Sequence, residues 1–378
     1  MQNKVKFNRE QLLKTLKKAI AFVPKKPVIT ACEDFLFAIS GNLCKVTATD
    51  IEKQITVSCI ADDHDGDIMF TIPARIIVSA LGLMLDDEVV FALKDPTATA
   101  PAIVELKCGK SKYKLNSSNG LNYPLMQPIT PEFEASFTGS AFNKAIEISK
   151  KYTDSKDTNT QWKGGVCMRM KDNKINFYST SGFEISRVAV EPRSIHQWED
   201  AVIPIDAVSS LEKCVADSAI VDVMHNKEKI EIKAEGVSIL ARLFVIKFPD
   251  CEKLFSIPRS ANIKLNTVQA TMALQRLALV SNVVESDHKC VFDIQSNSLV
   301  ISVDNTAYNR HGDEQIDIEA SKEVRIGISF AFVLSALSCI TSDEFTITYE
   351  DEKISVLIEP FNVVGDNMVS LLIAPMNI

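Results

Sequence analysis

Three lysines on one predicted helix have the residue type and the spacing needed to bind a polyanion. Lys14, Lys17 and Lys18 stand at positions i, i+3 and i+4, so a helix places their ammonium groups on one face. Lys25 and Lys26 follow just beyond them. Ammonium groups neutralise phosphates without reading base sequence, and this chemistry suits a nucleic-acid backbone. The alternative is an ordinary solvated helix face.

Similar helices recur twice along the chain, with fewer positive residues in the last. Lys144, Lys150 and Lys151 lie along the second copy, and Arg276 is the lone positive residue of the third. The net charge of -8 argues at first against a nucleic-acid partner, but binding depends on the local field and on how many phosphates are neutralised. Acidic residues gather instead in predicted loops, so a shared basic surface is predicted. Its candidate DNA-binding residues are Lys14, Lys17, Lys18, Lys25, Lys26, Lys144, Lys150, Lys151 and Arg276.

The sequence contains none of the common local motifs for catalysis or cofactor binding. P-loop, dinucleotide-binding, zinc-protease and serine-hydrolase patterns are absent, and the five histidines are scattered. The one cluster that resembles a cation site is DDHDGD, from Asp62 to Asp67, which lacks the terminal glutamate of a calcium loop. A solvated acidic turn is the favoured interpretation. We therefore expect a protein that is not an enzyme and has no cofactor or metal.

Composition and cysteine usage are those of an ordinary globular chain. The 378 residues are 46% hydrophobic and 24% charged. Nine cysteines lie at least 12 residues apart without a C-x-x-C pair, which predicts buried, reduced thiols. The first residues lack the apolar core of a signal peptide, and the longest weakly polar run, Ser329 to Ile340, is shorter than the roughly 20 residues that span a bilayer. We expect a cytoplasmic protein with no membrane contact.

Two sets of predicted helices position these residues, and both sets repeat three times. The first set covers Phe7 to Ile20, Ser140 to Tyr152 and Asn266 to Val284, with Asn8, Ser140 and Asn266 as the expected N-caps. The second set begins at Pro73, Pro204 and Ser329. Strand-like segments such as Glu184 to Val190 lie between the helices.

The spacing of the two helix sets agrees, which indicates duplication of whole domains. Asn8 and Ser140 are 132 residues apart, and Pro73 and Pro204 are 131 apart. The second interval is 126 residues for the first set and 125 for the second. Proline-containing links lie at residues 122–131 and 248–258. We predict three similar α+β domains, at residues 1–128, 129–258 and 259–378, each with two helices on antiparallel sheets.

Four segments in this order resemble one protein family. They are VKFNREQLLKTL near the start, LCKVTATDIEKQI from Leu43 to Ile55, FPDCEKLFSIP from Phe248 to Pro258, and the C-terminal IAPMNI. Together with the three-domain plan, they resemble the bacterial sliding clamp, the beta subunit of DNA polymerase III. The resemblance covers essentially the whole chain, although no single segment carries it alone.

The resemblance implies a fold of the DNA-clamp type and a non-catalytic function. Two chains would join head to tail into a ring of six domains, with helices around duplex DNA and sheets outside. Such a clamp is a processivity factor that encircles DNA without sequence preference. Its partners would be a second copy of itself, the replicative DNA polymerase, the clamp loader and other proteins that carry a clamp-binding motif.

The resemblance also implies two sets of contact residues. The partner-peptide groove would be lined by Trp162, Lys163, Thr180, Gly182, Phe183, Ile185, Pro249, Lys253, Leu254, Ser329, Phe332, Ser355, Leu372, Ala374, Pro375 and Met376. The dimer interface would contain Lys112, Tyr113, Lys114, Leu115, Leu279, Val280, Asp313 and Glu314, with the two acids as ion-pair partners of the lysines. For Leu279 and Val280 the alternative is an ordinary place in a helix core.

The chain departs from the family pattern in the groove. Clamps commonly carry Asp-Gly-His-Arg where this chain has Ser181-Gly182-Phe183-Glu184, and a methionine where it has Ala374. Glutamate in place of arginine predicts a reversed local charge and altered partner peptides. This motivates an alternative function, a clamp-like scaffold in a phage or mobile-element replisome. A scaffold that never encircles DNA and an enzyme with three duplicated domains remain the rival hypotheses.

Overall fold

The computed structural model describes residues 3–94, 102–117, 120–154, 156–157, 160–281, 289–305, 309–362 and 367–378. Within these ranges the chain forms α-helices and antiparallel strands, so the predicted α+β class is confirmed. The helices are α1 (Arg9–Ala19), α2 (Ala74–Leu83), α3 (Gly139–Lys151), α4 (Ile205–Val208), α5 (Glu252–Phe255), α6 (Thr267–Ala278) and α7 (Phe330–Leu337). None of the described helices is both long and apolar enough to cross a membrane.

The described strands fall into three successive groups of nine. The first group is β1 (Asn3–Asn8), β2 (Asp34–Ser40), β3 (Leu43–Thr49), β4 (Lys53–Ile60), β5 (Asp63–His64), β6 (Ile68–Pro73), β7 (Glu88–Lys94), β8 (Ala102–Cys108) and β9 (Ser111–Ser117). The second group is β10 (Phe133–Thr138), β11 (Gly165–Lys171), β12 (Lys174–Thr180), β13 (Glu184–Val190), β14 (Ser194–His196), β15 (Ala201–Pro204), β16 (Ile220–His225), β17 (Lys229–Ala234) and β18 (Val237–Arg242). The third group is β19 (Ala261–Asn266), β20 (Lys289–Ile294), β21 (Ser298–Asn305), β22 (Arg310–Asp317), β23 (Val324–Ser329), β24 (Glu344–Tyr349), β25 (Val356–Pro360), β26 (Asn367–Ile373) and β27 (Pro375–Met376).

The chain divides into two compact units. The first unit comprises Met1–Asn143, Pro192–Glu199 and Asp206–Val245, and the second comprises Lys144–Glu191, Asp200–Ile205 and Ile246–Ile378. Each unit contains one long sheet that joins strands from two of the three groups, because β18 pairs with β4 and β13 pairs with β26. The division into three domains with boundaries after residues 128 and 258 stays a prediction.

The first unit contains two antiparallel sheets, ordered β5-β1-β7-β8-β9 and β14-β10-β16-β17-β18-β4-β3-β2-β6. Its core includes four phenylalanine rings, Phe7, Phe37, Phe70 and Phe91, with centroids 5.0 to 6.4 Å apart. Helix α1 packs against β3 and β4. This packing fixes which face of the helix is left for solvent.

The second unit follows the same plan, with sheets ordered β15-β11-β12-β13-β26-β25-β24-β19 and β22-β21-β20-β23-β27. Helix α6 packs against β19, β22 and α7, and it buries Ala270, Leu274 and Leu277. Helix α7 packs against β23 and β26. The apolar faces of these helices therefore pack against the sheets.

The N-caps of α1 and α6 are those predicted from the sequence, and the N-cap of α3 is not. Asn8 Oδ1 accepts from the Gln11 amide at 3.1 Å, and Asn266 Oδ1 accepts from the Gln269 amide at 2.9 Å, so two predicted N-caps are confirmed. The prediction for Ser140 is wrong, because α3 begins at Gly139, two residues before the start that a Ser140 cap implies. Its cap is Thr138, whose Oγ1 accepts from the Ala141 amide at 3.3 Å.

The second helix of the middle repeat is much shorter than its counterparts. Helix α4 ends at Val208, and a 3-10 turn follows from Leu211 to Lys213. Serines such as Ser210 compete with helical hydrogen bonds through their hydroxyls, and they follow β-branched Val208. The third helix of the first set ends at Ala278, and the predicted residues 282–284 lie outside the described residues.

Candidate nucleic-acid interface and peptide groove

The lysine stripe of α1 faces solvent because the opposite face of the helix is buried. Leu12, Leu16 and Ala19 are almost completely enclosed. Lys14 and Lys17 are exposed. Lys18 is half-buried, and its Nζ donates to the Cys214 carbonyl oxygen at 3.0 Å. The amphipathic pattern of α1 therefore places its apolar residues in the core of the first unit and Lys14 and Lys17 at the surface, as predicted.

A shallow concavity of about 620 Å³ collects these lysines with two further cations. It is lined by Arg9, Glu10, Leu13, Lys14, Lys17, Lys18 and Lys213. Five cations and one carboxylate create a positive local field on a chain whose net charge is -8. Arg9 is held by two hydrogen bonds to backbone carbonyls. Its Nη1 donates to Leu81 O in α2 at 3.2 Å, and its Nε donates to Asp86 O, just after α2, at 3.0 Å.

A second concavity of about 370 Å³ lies beside the end of α1. Lys25, Lys53 and Arg75 contribute to its wall, together with Asp50. Arg75 Nη2 donates to the Val23 carbonyl oxygen at 3.1 Å, and the Lys53 ammonium pairs with Asp206 and with Asp50 at 3.4 Å. Lys25 and the neighbouring Lys26 are exposed. Arg75 is exposed as well, so these three residues present positive charge to solvent here.

The basic residues of α3 are partly engaged with α7 and its C-terminal end. Lys151 Nζ donates to Ser338 O at 3.2 Å and to Ser338 Oγ at 3.0 Å, and it lies 4.0 Å from Glu147. Lys144 Nζ contacts Thr341 Oγ1 at 3.3 Å. Lys150 is exposed. A cation near the last carbonyls of a helix also stabilises that helix terminus, so this stripe has a structural role beside any binding role.

Arg276 is bound to an acid that the sequence assigned to another site. Its Nε and Nη2 donate to the two carboxylate oxygens of Glu314, each at 2.7 Å. The same hydrogen bonds lower the pKa of Glu314. This bidentate pair joins a predicted DNA contact to a predicted dimer residue within one chain. Arg276 therefore adds little net positive charge to the surface.

Six of the eight predicted dimer residues lie on strands at the edges of two sheets, and Leu279 and Val280 follow the end of α6. Strand β9 carries Lys112, Tyr113, Lys114 and Leu115 and, among the described strands, pairs only with β8. Its lysines and Tyr113 are exposed, and Leu115 is half-buried. Lys114 Nζ lies 3.9 Å from Glu105. This edge is basic and presents unpaired backbone groups.

Strand β22 forms the second edge, which lies in the second unit and is more acidic. It carries Asp313 and Glu314 and, within the described part of the chain, pairs only with β21. Leu279, just after α6, is 80% exposed, and Val280 is half-buried. The exposure of Leu279 differs from what an ordinary helix-core residue would show.

Three of the predicted groove residues, Thr180, Ile185 and Leu372, lie on three neighbouring strands of the second unit. Thr180 stands opposite Ile185, and Ile185 stands opposite Leu372, so the three share one face of the sheet. All three are buried. The Ala374 amide donates to the Phe183 carbonyl oxygen at 2.8 Å and fixes the next loop. In that loop Gly182 adopts a φ of 105°, a region that favours glycine.

The rim of the groove carries apolar side chains that reach solvent. Phe183 is 67% exposed and Leu254 is 43% exposed. Trp162 packs edge-on against Phe248 with centroids 6.4 Å apart, and Lys163 Nζ pairs with Asp157 at 2.9 Å. Among the remaining predicted residues, Lys253 is exposed and Ser329 is buried. The others are half-buried: Pro249, Phe332, Ser355, Ala374, Pro375 and Met376.

Known proteins share the fold of this chain over its whole length. The family model for the N-terminal domain of the DNA polymerase III beta subunit matches residues 3–127. The beta sliding clamp of Caulobacter crescentus superposes with a TM-score of 0.91 at 16% identity, covering 100% of this chain and 99% of that one. A DNA polymerase III beta subunit from Eubacterium rectale, described as putative, gives 0.88 at 18% identity, with 100% of both chains covered.

This chain has the bacterial sliding-clamp fold. Two relatives named beta sliding clamp support the same resemblance over nearly full length. That of Haemophilus influenzae is 20% identical, covering 93% of this chain and 94% of the relative. That of Bacillus subtilis is 22% identical, covering 98% and 99%. The resemblance drawn from the sequence is thereby confirmed.

The predicted peptide groove does not receive the reversed charge that Glu184 was expected to bring. Glu184 is 5% exposed, and its neighbour Ile185 points to the groove face, so the Glu184 carboxyl lies on the opposite, interior face. Burial raises the pKa of Glu184 to about 8. The group is therefore largely protonated at neutral pH. The prediction failed because it assigned the side chain to the surface.

Three residues at the candidate sites were not identified from the sequence. Lys213 sits in a short turn far along the chain from Lys14, and no periodicity links the two. Arg9 begins the same helix as the stripe, and helical spacing alone could have included it. Arg259, which contacts Ser355, gave no local signal either. Within the described ranges, no group of three or more His, Cys, Asp or Glu side chains could hold a metal ion.

Proposed function

We propose that this chain is a DNA sliding clamp that encircles duplex DNA and tethers a replicative DNA polymerase and other partners. The observation that carries the proposal is the concavity beside α1, which is lined by five cations, four from α1 and Lys213. The chain has the clamp fold over its full length. Phosphate contacts of this kind fix position without reading base sequence. A protein that must slide along any sequence needs contacts of this type.

The chemistry of the basic face suits a loose electrostatic grip. Lys14, Lys17 and Lys25 are exposed and flexible, so they can meet phosphates at many registers. Each contact releases counterions and is weakened by salt. If the grip is topological, no contact needs to be strong. The chain then acts by holding its partners on DNA, and we propose no catalytic step for it.

Two chains are proposed to join through unlike edges. Strand β9 of one copy would pair with β22 of the next, which extends one sheet into another and satisfies both rows of backbone groups. Lys112 and Lys114 would then face Asp313. Because β9 and β22 differ, the contact is head to tail, and it closes into a ring when two copies complete the circle.

The apolar groove is proposed to capture short peptides from the polymerase, the clamp loader and other clamp-binding proteins. Half-buried Met376 and exposed Phe183 and Leu254 provide adaptable apolar contacts. Sliding clamps from Pseudomonas aeruginosa and Bartonella birtlesii have been crystallised bound to griselimycin. We propose that the groove of this chain binds griselimycin too. A replication role also places the protein in the cytoplasm, where bacterial DNA resides.

Retention on circular DNA tests the function. The chain is assembled by a clamp loader on a nicked plasmid, isolated by gel filtration, and the plasmid is then cut once. We expect retention on the circle and loss after linearisation, because a ring slides off a free end. Equal retention on circular and linear DNA, or a monomeric mass in solution, would contradict encirclement and favour the non-encircling scaffold.

A further inference from the structure

We propose that Glu252 and Arg259 are positioning residues of the peptide groove, which tie both ends of one segment to the sheets of the second unit. The segment, residues 249–257, is called the ledge below, and it carries Leu254 at the groove rim. The proposal rests on the proposed function, because it assumes that partners bind at this groove.

The ledge has little internal structure to hold its shape. Helix α5 within it is a single turn of four residues, from Glu252 to Phe255. One turn of helix is not stable by itself, because nucleation costs more than its few hydrogen bonds return. Cys251 is buried beneath it, while Leu254 and Lys253 point to solvent. The position of Leu254 therefore depends on contacts outside the ledge.

The first tether joins the start of α5 to three strands. The Glu252 carboxylate accepts from Lys171 Nζ at 2.8 Å on β11, from Arg187 Nη1 at 2.9 Å on β13, and from the Tyr178 hydroxyl on β12. Burial would raise the pKa of Glu252, but the hydrogen bonds from Lys171 and Tyr178 hold it below its ordinary value. Arg187 also contacts β26, because its Nη2 donates to Ser370 Oγ at 2.9 Å. A charged hydrogen-bond network of this kind fixes geometry.

The second tether holds the end of the ledge through one guanidinium group. Arg259 Nε donates to Ser355 O at 2.8 Å, and Nη2 donates to Ser355 Oγ at 3.1 Å. The same group donates to three ledge carbonyls, Leu254 O at 3.1 Å, Ile257 O at 2.9 Å and Phe255 O at 3.5 Å. Only the planar fork of arginine can reach acceptors on both sides at once. Arg259 thus joins the ledge to Ser355, a predicted groove residue.

Three variants of the full-length chain test the proposal. Arg259→Met removes the fork and keeps the aliphatic stem, Arg259→Lys keeps the charge without the fork, and Glu252→Gln removes the charge of the first tether. The matched control is Arg193→Met, which changes an exposed arginine of the first unit. Griselimycin affinity is measured by calorimetry, and amide hydrogen exchange is followed in residues 252–257.

We expect about tenfold weaker griselimycin binding and about tenfold faster exchange of the ledge amides in Arg259→Met and Arg259→Lys. Glu252→Gln should change both in the same direction by less. Exchange in β20 and β21 of the second unit and in β16 to β18 of the first unit should stay as in the wild type, which excludes unfolding of either unit. The control should match the wild type in every measurement.

The outcomes separate this proposal from the proposed function. If the wild type binds griselimycin and the Arg259 variants bind it equally well, the positioning role is overturned while the groove stands. Unchanged exchange in the ledge overturns the tether itself. If the wild type does not bind griselimycin, the assignment of the groove fails, and the positioning role fails with it.

Discussion

At the scale of single residues, the basic face of α1 is where charge and exposure combine most clearly. Lys17 is exposed and lines the larger concavity with four other cations. We expect Lys17→Ala to weaken binding to a short linear duplex. If Lys17 meets one phosphate, the slope of log K against log salt should fall by about one. Fluorescence anisotropy at several salt concentrations measures this slope.

The control for Lys17 is Lys45→Ala, which removes an exposed lysine from a strand surface of the same unit. Its salt slope should equal that of the wild type. An equal loss of slope in both variants would mean that total charge, and not the basic face, governs binding. Lys18 is unsuitable for this comparison, because its Nζ contacts Cys214 and its removal alters packing.

Glu184 is a residue whose effect depends on pH. Its folded pKa of about 8 lies above the ordinary value of 4.5, so the folded state keeps a proton that the unfolded state releases. The unfolding free energy of the wild type should therefore fall as pH rises, by up to about 1.4 kcal/mol per pH unit between these two values. Glu184→Gln cannot ionise. We expect it to match the wild type near pH 4.5 and to exceed it in stability at pH 8.

Urea unfolding at pH 4.5, 6 and 8 measures the difference between the two proteins. Comparing them at each pH cancels the titration of all other groups. A constant difference across the range would contradict the interior placement of Glu184. The sequence alone did not predict this behaviour, because local sequence does not show that both faces of β13 are buried.

At the scale of elements, the N-cap of α1 holds the helix that carries the lysines. Asn8 Oδ1 accepts from the Gln11 amide, one of the amides without a partner in the helix. We expect Asn8→Ala to lower the unfolding free energy by about 1 kcal/mol. Asn8→Ser should retain most of the stability, because serine also caps helices. Urea titration measures both variants, and equal losses for alanine and serine would contradict a capping role.

The sequence predicted elements with strong local patterns and missed those without them. Helices α1, α3 and α6 follow apolar spacing, and strands such as β17 alternate apolar residues with charged ones. The short strands before the first helices, β1, β10 and β19, were not predicted, since their patterns run directly into a helix start. Sheet order could not be read either. The pairings of β4 with β18 and of β13 with β26 join distant segments.

At the scale of the whole molecule, two exposed edges of opposite charge are the features that favour assembly. Lys112→Glu with Lys114→Glu reverses the charge of β9 without touching its backbone pairing to β8. We expect the double variant to shift from dimer towards the monomer mass of 41.8 kDa, because like charges would then face Asp313 across the joint. Light scattering after gel filtration measures the mass across a range of concentrations.

A compensating change distinguishes a specific joint from general repulsion. When Asp313→Lys is mixed with the β9 double variant, the reversed charges meet at one joint of the ring and the native charges meet at the other, so both joints are complementary and a dimer should be recovered. The matched control reverses Lys45 and Lys227, two exposed lysines of the first unit away from β9. If the control also becomes monomeric, or the mixture does not, the edges are not the joint. Arg276 does not compete for Asp313, because its guanidinium is held by Glu314, and the charged neighbour of Asp313 within the chain is His311, with Nε2 at 3.5 Å.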